Sequence, residues 1–331
     1  MDETSMGFQM KHSLLLDDQP RTATQTEKVA ILLSTYNGAA YLAEQLDSLV
    51  AQTHTNWQIY ASDDGSGDAT LEILRHYQHQ LGGHRLTLFE GPRQGFAANF
   101  LGTLQRQEFQ AQYYAFCDQD DLWQPDRLAL GIAWMRNIPD EQPALYCSRT
   151  QLVDAQGQPL GLSPLFSEAP SFRNALVQSI AGGNTMLFNQ ATRALLQGTD
   201  RTARIISHDW WTYILVSGCG GQVFYNPEPT IRYRQHERNL MGSNSSLNDR
   251  LKRLGQMFAG TFREWNDANL HALAPLRNLL TRDNQTTLEL FEQARHASLP
   301  QRALLLQRSG VYRQTLTGNL GLAAATLLQR I

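Results

Sequence analysis

Short apolar runs alternate with helical spacings in the first half of the chain. Val29–Leu33 is a continuous apolar run, typical of a strand buried on both faces of a parallel sheet. It ends in the polar turn Ser34–Gly38, after which apolar residues recur at helical spacing from Tyr41 to Val50. The next apolar run is Trp57–Ala61. This order of strand, loop, helix and strand predicts a βαβ unit.

The same unit repeats further along the chain. A helix capped by Asp68 is expected to run through Tyr77, followed by a strand at Arg85–Phe89, a helix at Ala97–Arg106 and a strand at Tyr113–Cys117. Open α/β sheets bind ligands at the carboxyl ends of their strands. The polar loops that follow these strands are therefore expected to meet in one crevice.

The alternation is less regular after Leu128. A helix to about Arg136 and a long polar connection to Ile180 are expected. Three further strands are predicted, at Ala144–Arg149, Thr185–Phe188 and Gly221–Tyr225. We divide the chain into a poorly ordered segment (1–27), an α/β domain of catalytic type (28–240) and a Leu-rich helical appendage (241–331).

Composition narrows the class of protein. The 331 residues include 42% hydrophobic and 18% charged residues, with a net charge of −3, as in ordinary globular proteins. This charge gives no general attraction to nucleic acid. Three cysteines at no metal-like or disulfide-like spacing indicate buried thiols in a reducing compartment. With no signal peptide and no run of ~20 apolar residues, the expected location is the cytoplasm, with contact at the inner membrane face left open.

An acidic cluster follows the fourth predicted strand. Asp118, Asp120 and Asp121 lie within one turn, where like charges repel one another unless a cation offsets them. Mg²⁺ is usually held by one or two carboxylates together with substrate phosphates. The cluster therefore indicates a metal-bound diphosphate, with a solvated acidic turn as the alternative. Trp123 and Pro125 would fix the loop, which favours the metal site.

The loops after the first three strands carry groups that suit the rest of a nucleotide. Two of these loops offer a hydroxyl, a phenol, an amide and two carboxylates, from Thr35, Tyr36, Asn37, Asp63 and Asp64. The third loop brings Arg93 and Asn99, a cation and an amide, to the side of the sheet where a phosphate could bind.

These motifs together resemble those of family 2 glycosyltransferases of the GT-A fold, over roughly residues 28–240. The resemblance is carried by VAILLSTYNGAAYLAEQLDSL, SDDGSGD, GPRQGFAANF and CDQDDLWQPDRL. The form CDQDDLW is similar to the rhamnosyltransferase-like branch, which works in bacterial surface-polysaccharide (O-antigen) assembly. The resemblance implies a Rossmann-like mixed α/β sheet flanked by helices, with the helical appendage after it.

The resemblance also implies roles for the donor-side residues. Thr35, Tyr36 and Asp64, with Asp63, would hold the nucleoside of a dTDP- or UDP-linked sugar. Asp118 and Asp120 would form the Asp-x-Asp pair, with Asp120 on Mn²⁺ or Mg²⁺. We place Asn37, Arg93, Asn99 and Gln119 in the same nucleotide-sugar set.

The acceptor side is expected further along the chain. Asp209 occupies the position of the family's catalytic base, with His208 in place of the usual Glu; a helix N-cap is the alternative role. Neighbouring Trp210 and Trp211 would desolvate this carboxylate and make it a better base. Four more residues complete the expected site: Gly183 and Asn184 in an acceptor-side turn, Arg234 as a phosphate contact, and His236 as a third metal ligand or diphosphate contact. The acceptor would be a saccharide or a lipid-linked saccharide.

Other functions are weighed against this interpretation. A dinucleotide-binding dehydrogenase is disfavoured because Thr70 stands where the GxGxxG motif needs its third glycine. A nucleotidyltransferase remains the nearest enzyme alternative, and a non-catalytic carbohydrate-binding or assembly protein is the other. The basic amphipathic segment 247–264 suits a membrane surface, packing on the α/β domain or a homodimer.

Overall fold

The computed structural model of the chain describes residues 27–236 and 261–331, and within them one nine-stranded mixed sheet lies between helices. The strands are β1 (Val29–Thr35), β2 (Trp57–Asp63), β3 (Leu86–Glu90), β4 (Tyr113–Cys117), β5 (Leu122–Trp123), β6 (Ala144–Val153), β7 (Pro159–Leu162), β8 (Leu187–Asn189) and β9 (Gln222–Arg234). The expected N-terminal segment up to residue 26, and residues 247–260 of the expected basic helix, lie outside the described residues.

The strand order brings the predicted motif loops to one edge. It is β3-β2-β1-β4-β8-β6-β9-β5, with β7 beside β6. The first four strands are parallel, whereas β8 is antiparallel to both β4 and β6. Thr35 is opposite Asp63, and Asp63 is opposite Glu90, so that these strands end at the same level. The predicted convergence of loops is thereby confirmed.

The helices cover both faces of the sheet. In the α/β part they are α1 (Leu42–Val50), α2 (Thr70–Leu81), α3 (Phe96–Leu104), α4 (Arg127–Met135), α5 (Phe172–Ala175), α6 (Gln190–Gln197) and α7 (His208–Gly218), with a 3₁₀ turn at Gly183–Thr185. The C-terminal part contains α8 (Thr261–Leu273), a 3₁₀ helix at Ala274–Leu279, α9 (Arg282–His296), α10 (Leu299–Ser309) and α11 (Leu316–Leu327).

Two hydrophobic clusters, one on each face of the sheet, form the core. Ala30 and Leu32 of β1 belong to one cluster and Ile31 to the other, because successive side chains of a strand point to opposite faces. The C-terminal helices join the first cluster through residues such as Phe291. The C-terminal helices therefore pack on the α/β part. A hydrogen bond joins the two parts as well: Asn284 of α9 donates to the carbonyl of Ser217 in α7 at 3.1 Å.

The strand β9 is longer than the sequence predicts. It runs over Gln222–Arg234, where Pro227, Glu228 and Pro229 interrupt the apolar pattern. Pairing with β6 continues past this interruption through a shift in register near Ser148, which carries β9 as far as Arg234. The connection expected to be irregular up to Ile180 likewise contains β7 and α5.

Candidate active site

The acidic loop after β4 contains one buried carboxylate and two partly exposed ones. Asp121 is fully buried, and its Oδ2 accepts a hydrogen bond from Asn184 Nδ2 at 2.5 Å. Its Oδ1 accepts from the backbone N–H of Arg234 at 3.1 Å. Asp121 therefore holds the loop against β9 and the 3₁₀ turn. Asp118 and Asp120 are the partly exposed carboxylates of this loop.

The candidate base lies at the start of α7. This helix begins at His208 with Ser207 as its N-cap, so Asp209 is not the capping residue. Asp209 Oδ2 accepts a hydrogen bond from the backbone N–H of Gly183 at 3.1 Å, and Oδ1 accepts from the Ser207 hydroxyl. The adjacent residue Asn184 binds Asp121. A single 3₁₀ turn thus connects the candidate base to the acidic loop.

The charges of these carboxylates act on one another. Although part of Asp118 reaches solvent, the surrounding protein desolvates its carboxyl group. This desolvation, followed by the negative charges of Asp120 and Asp209, raises the pKa of Asp118 to about 8. A divalent cation would offset this accumulation of negative charge. Asp120 Oδ2 lies 2.8 Å from His236 Nε2, so an oxygen and a nitrogen donor are already adjacent.

The possible metal ligands of the protein fit a cation whose coordination is completed by phosphate oxygens of the substrate. Within residues 27–236 and 261–331, no three His, Cys, Asp or Glu side chains come together as a metal-binding group. Mg²⁺ and similar ions are commonly held by one or two carboxylates plus substrate phosphates. Asp120 and His236 could supply the protein's share of such a site.

Arg234 supports the acidic loop. It is only 1% exposed, and it donates to the carbonyl of Asp120 at 3.0 Å and to Glu44 Oε2 at 2.6 Å. Its guanidinium lies 4.6 Å from the centre of the Tyr41 ring, on which His236 also stacks at 4.9 Å. These partners enclose the side chain, and its expected contact with a phosphate stays a prediction.

Asp63 and Asp64 both organise the donor-side loops, but to different extents. Asp63 accepts four hydrogen bonds, from the Thr35 hydroxyl, from the backbone N–H of Gly65, and from both the N–H and the hydroxyl of Ser66. Asp64 accepts two, from the N–H groups of the next loop. A carboxylate has about four acceptor positions. Asp64 therefore retains the capacity to accept from a nucleobase, whereas Asp63 is saturated.

Gln119 joins the acidic loop to the loop after β1. Its Oε1 accepts from the N–H of Tyr36 at 2.8 Å, and its Nε2 donates to the carbonyl of Tyr36 at 3.0 Å. The Tyr36 side chain is 58% exposed. Asn37 adopts a positive φ of 49° and accepts from the N–H of Gly67, which connects the first and second loops. Arg93 is exposed at the third loop.

Three residues expected at the site lie in the core instead. Asn99 is 0% exposed and donates to the carbonyl of Ser62, so it fastens α3 to the sheet. Trp210 and Trp211 are also buried, and their indole N–H groups bind Ala175 and Thr199. In this structure each of the three side chains is used in packing, and the expected roles of Asn99 on the donor side and of Trp210 and Trp211 on the acceptor side stay predictions. The Asn184 amide is likewise used internally, on Asp121.

His208 is a buried imidazole behind the candidate base. Its ring stacks on Phe100 at 4.0 Å and meets Phe116 edge-on at 4.6 Å. Neither ring nitrogen has a hydrogen-bond partner in the described part of the chain. Burial lowers its pKa to about 4. A Cβ atom at Gly183 would overlap this ring, so glycine is required there.

Several residues that support the site could not be predicted from the sequence. Tyr41, just before α1, and Glu44 within it have no local signal, because their partner Arg234 lies almost 200 residues away on β9. Arg127 is also buried, and it donates to the carbonyl of Asn184 at 2.7 Å while its guanidinium stacks 3.4 Å from the centre of the Trp123 ring. Trp123 was expected to fix the loop, and it does so through this arginine.

Comparison with known proteins decides the family. The model of Glycosyl transferase family 2 matches residues 30–195, half of the chain. The chain belongs to this family. A dTDP-rhamnosyl transferase, RfbG of Shigella flexneri, is 26% identical over 67% of this chain and 78% of its own length. A putative teichuronic acid biosynthesis glycosyltransferase, TuaG of Bacillus subtilis, is 25% identical over 51% of this chain and 65% of its own.

Two solved structures share the fold. The mannosyltransferase PcManGT from Pyrobaculum calidifontis, in complex with GDP-Man and Mn²⁺, superposes with a TM-score of 0.51 at 20% identity, covering 93% of this chain and 86% of that one. S. aureus TarS 1–349 in complex with UDP-GlcNAc gives 0.51 at 16% identity, with 86% and 93% covered. The expected GT-A fold of this family 2 member is confirmed.

Proposed function

We propose that this family 2 glycosyltransferase is a metal-dependent inverting hexosyltransferase. It would move a sugar from a nucleoside-diphosphate sugar to a saccharide or lipid-linked saccharide acceptor in bacterial surface-polysaccharide synthesis. Rhamnose carried by dTDP is the donor we test first, supported by the similarity to a dTDP-rhamnosyl transferase, with UDP as the other carrier. The observation that carries the proposal is the 3₁₀ turn that holds Asp209 and the acidic loop together through Gly183 and Asn184.

Asp209 is suited to act as the base. The Gly183 N–H and the Ser207 hydroxyl fix its carboxylate, which lies at the partly exposed start of α7. A carboxylate held in this way can take the proton from an acceptor hydroxyl as that oxygen attacks the anomeric carbon. Attack from the face opposite the leaving diphosphate inverts the configuration of that carbon.

The donor side would be formed by the loops at the ends of β1 to β4. Asp64 has the acceptor capacity to bind a nucleobase, and the exposed ring of Tyr36 lies in the neighbouring loop. Asp120, with His236, would hold Mn²⁺ or Mg²⁺. When bound, that ion would offset the charge that develops on the leaving diphosphate.

The role of Asp209 is tested by Asp209→Asn. The amide keeps the shape of the carboxylate but cannot accept the proton, so turnover should fall about 10²–10⁴-fold while donor affinity is retained. Asp140→Asn, at an exposed position, is the matched control and should leave turnover unchanged. Transfer by Asp209→Asn at the wild-type rate would refute the assignment.

The metal and the nucleotide are tested by thermal shift. Wild-type protein is titrated with dTDP, UDP and GDP, each with Mn²⁺ or with a chelator. A nucleotide at ~100 times its Kd adds about 2.7 kcal/mol of stability. Asp120→Ala should abolish the metal-dependent part of this shift. If none of the nucleotides shifts the melting temperature, the result would favour a non-catalytic binding protein. Release of pyrophosphate from a nucleoside triphosphate would favour a nucleotidyltransferase.

A further inference from the structure

The last helix of the chain, α11, exposes a stripe of leucines. Leu316, Leu320 and Leu327 are 77%, 63% and 63% exposed, and Ala323 between them is exposed as well. Their spacing places all four on one face of the helix. The opposite face is buried in the core through residues such as Leu322. One side of the helix is thus packed against the protein, and the other side exposes apolar side chains to solvent.

The charged side chains of the chain segment that carries this stripe have one sign. α11 contains no Asp, Glu, Lys or Arg, and residues 297–331 contain four arginines and no acidic residue, although the whole chain carries −3. Arg302 is buried and donates to the carbonyl of Thr326 at 2.9 Å. Arg308 and Arg330 are exposed. The exposed charges of this segment are therefore positive and would attract an anionic surface.

The stripe is too small for a stable contact between two copies of the chain. At 1.5 Å per residue it is about 16 Å long and one side chain wide. A stable protein interface buries about 800 Å² and roughly 20–30 residues on each side. A bilayer needs less, since a helix at its surface is held by a few inserted apolar side chains together with basic groups near anionic lipids.

No helix within residues 27–236 and 261–331 is long and apolar enough to cross a membrane. We infer that α11 instead lies along the surface of an anionic phospholipid bilayer. Its leucine stripe enters the boundary between headgroups and acyl chains, and Arg308 and Arg330 face the lipid phosphates. This inference is independent of the sugar and of the acceptor.

The test is co-sedimentation of the full chain with vesicles. We expect binding to phosphatidylcholine vesicles that contain phosphatidylglycerol, and at least tenfold weaker binding to phosphatidylcholine alone or in high salt. The double variant Leu320→Asp, Leu327→Asp should lower the partition coefficient at least tenfold. Leu160→Asp is the matched control, because Leu160 is 57% exposed on β7, and it should bind as the wild type does.

A second variant guards against misfolding. Arg330→Glu changes an exposed side chain beyond the end of α11, and it should reduce the preference for phosphatidylglycerol while leaving the melting temperature unchanged. Absence of binding to both vesicle types would overturn the inference, as would equal losses in the Leu160→Asp control. It would also be overturned by a dimer in sedimentation velocity that the double leucine variant dissociates, because a second copy would then cover the stripe.

Discussion

The substitution Gly38→Ala tests how the donor loops are held together. Gly38 lies in the loop between β1 and α1, and its φ is not positive, so alanine fits the backbone. A Cβ there would overlap the carboxamide of Gln119. That carboxamide makes both hydrogen bonds to the backbone of Tyr36, at 2.8 and 3.0 Å. The variant should therefore release Gln119 and separate the two loops.

The size of the effect follows from the two lost bonds. Each contributes about 0.5–1.5 kcal/mol, and the site is exposed enough for water to replace part of this. A loss of about 1–2 kcal/mol corresponds to a donor affinity roughly 5–30-fold weaker, since 1.4 kcal/mol is a factor of ten. Turnover at saturating donor should change little, because Asp209 and Gly183 are held by other contacts.

Donor affinity is measured by titration calorimetry with Mn²⁺, and turnover by release of the nucleoside diphosphate. Gly102→Ala is the control: it lies within α3 with no atom near the added Cβ, and should leave affinity unchanged while stabilising the helix by about 1 kcal/mol. The double variant Gly38→Ala, Gln119→Ala should bind no more weakly than Gln119→Ala alone. Additive losses, or an unchanged affinity in Gly38→Ala, would refute the reasoning.

Two further predictions concern the ring behind the base. In Gly183→Ala the added methyl group should collide with His208 and shift the backbone amide that binds Asp209. Turnover should then fall at least tenfold while donor affinity is kept, and Gly102→Ala again serves as the control. A loss of donor affinity without a loss of turnover would contradict this prediction. The pKa of His208 in the folded state, about 4, is below its usual value of 6.5. Between these two pH values the unfolded chain therefore binds more protons than the folded chain. The free energy of unfolding should fall by roughly 3 kcal/mol as the pH drops from 6.5 to 4. His208→Leu should flatten this slope in urea titrations at each pH, whereas His84→Asn, at an exposed position, should not; an unchanged slope would place the effect elsewhere.

The sheet and the edge at which its polar loops meet could be predicted, because both follow from local patterns. A run such as Val29–Leu33 indicates a strand covered on both faces, and its two clusters confirm this. The carboxyl ends of parallel strands share one edge, so the loops after β1, β2 and β4 had to meet. The full length of β9 could not be predicted, because its prolines interrupt the apolar pattern while pairing with β6 continues beyond them.

The role of each polar residue could not be predicted in the same way. Asp120 and Asp121 are adjacent and chemically identical, yet one is partly exposed and the other is fully buried. The difference arises from Asn184 and Arg234, which are 63 and 113 residues away from Asp121 along the chain. A carboxyl group that is buried with hydrogen-bond partners of this kind holds loops in place, whereas the partly exposed Asp120 can still reach a ligand. Sequence alone therefore locates the loops that meet at the site, whereas distant hydrogen bonds decide which of their side chains remain for the donor.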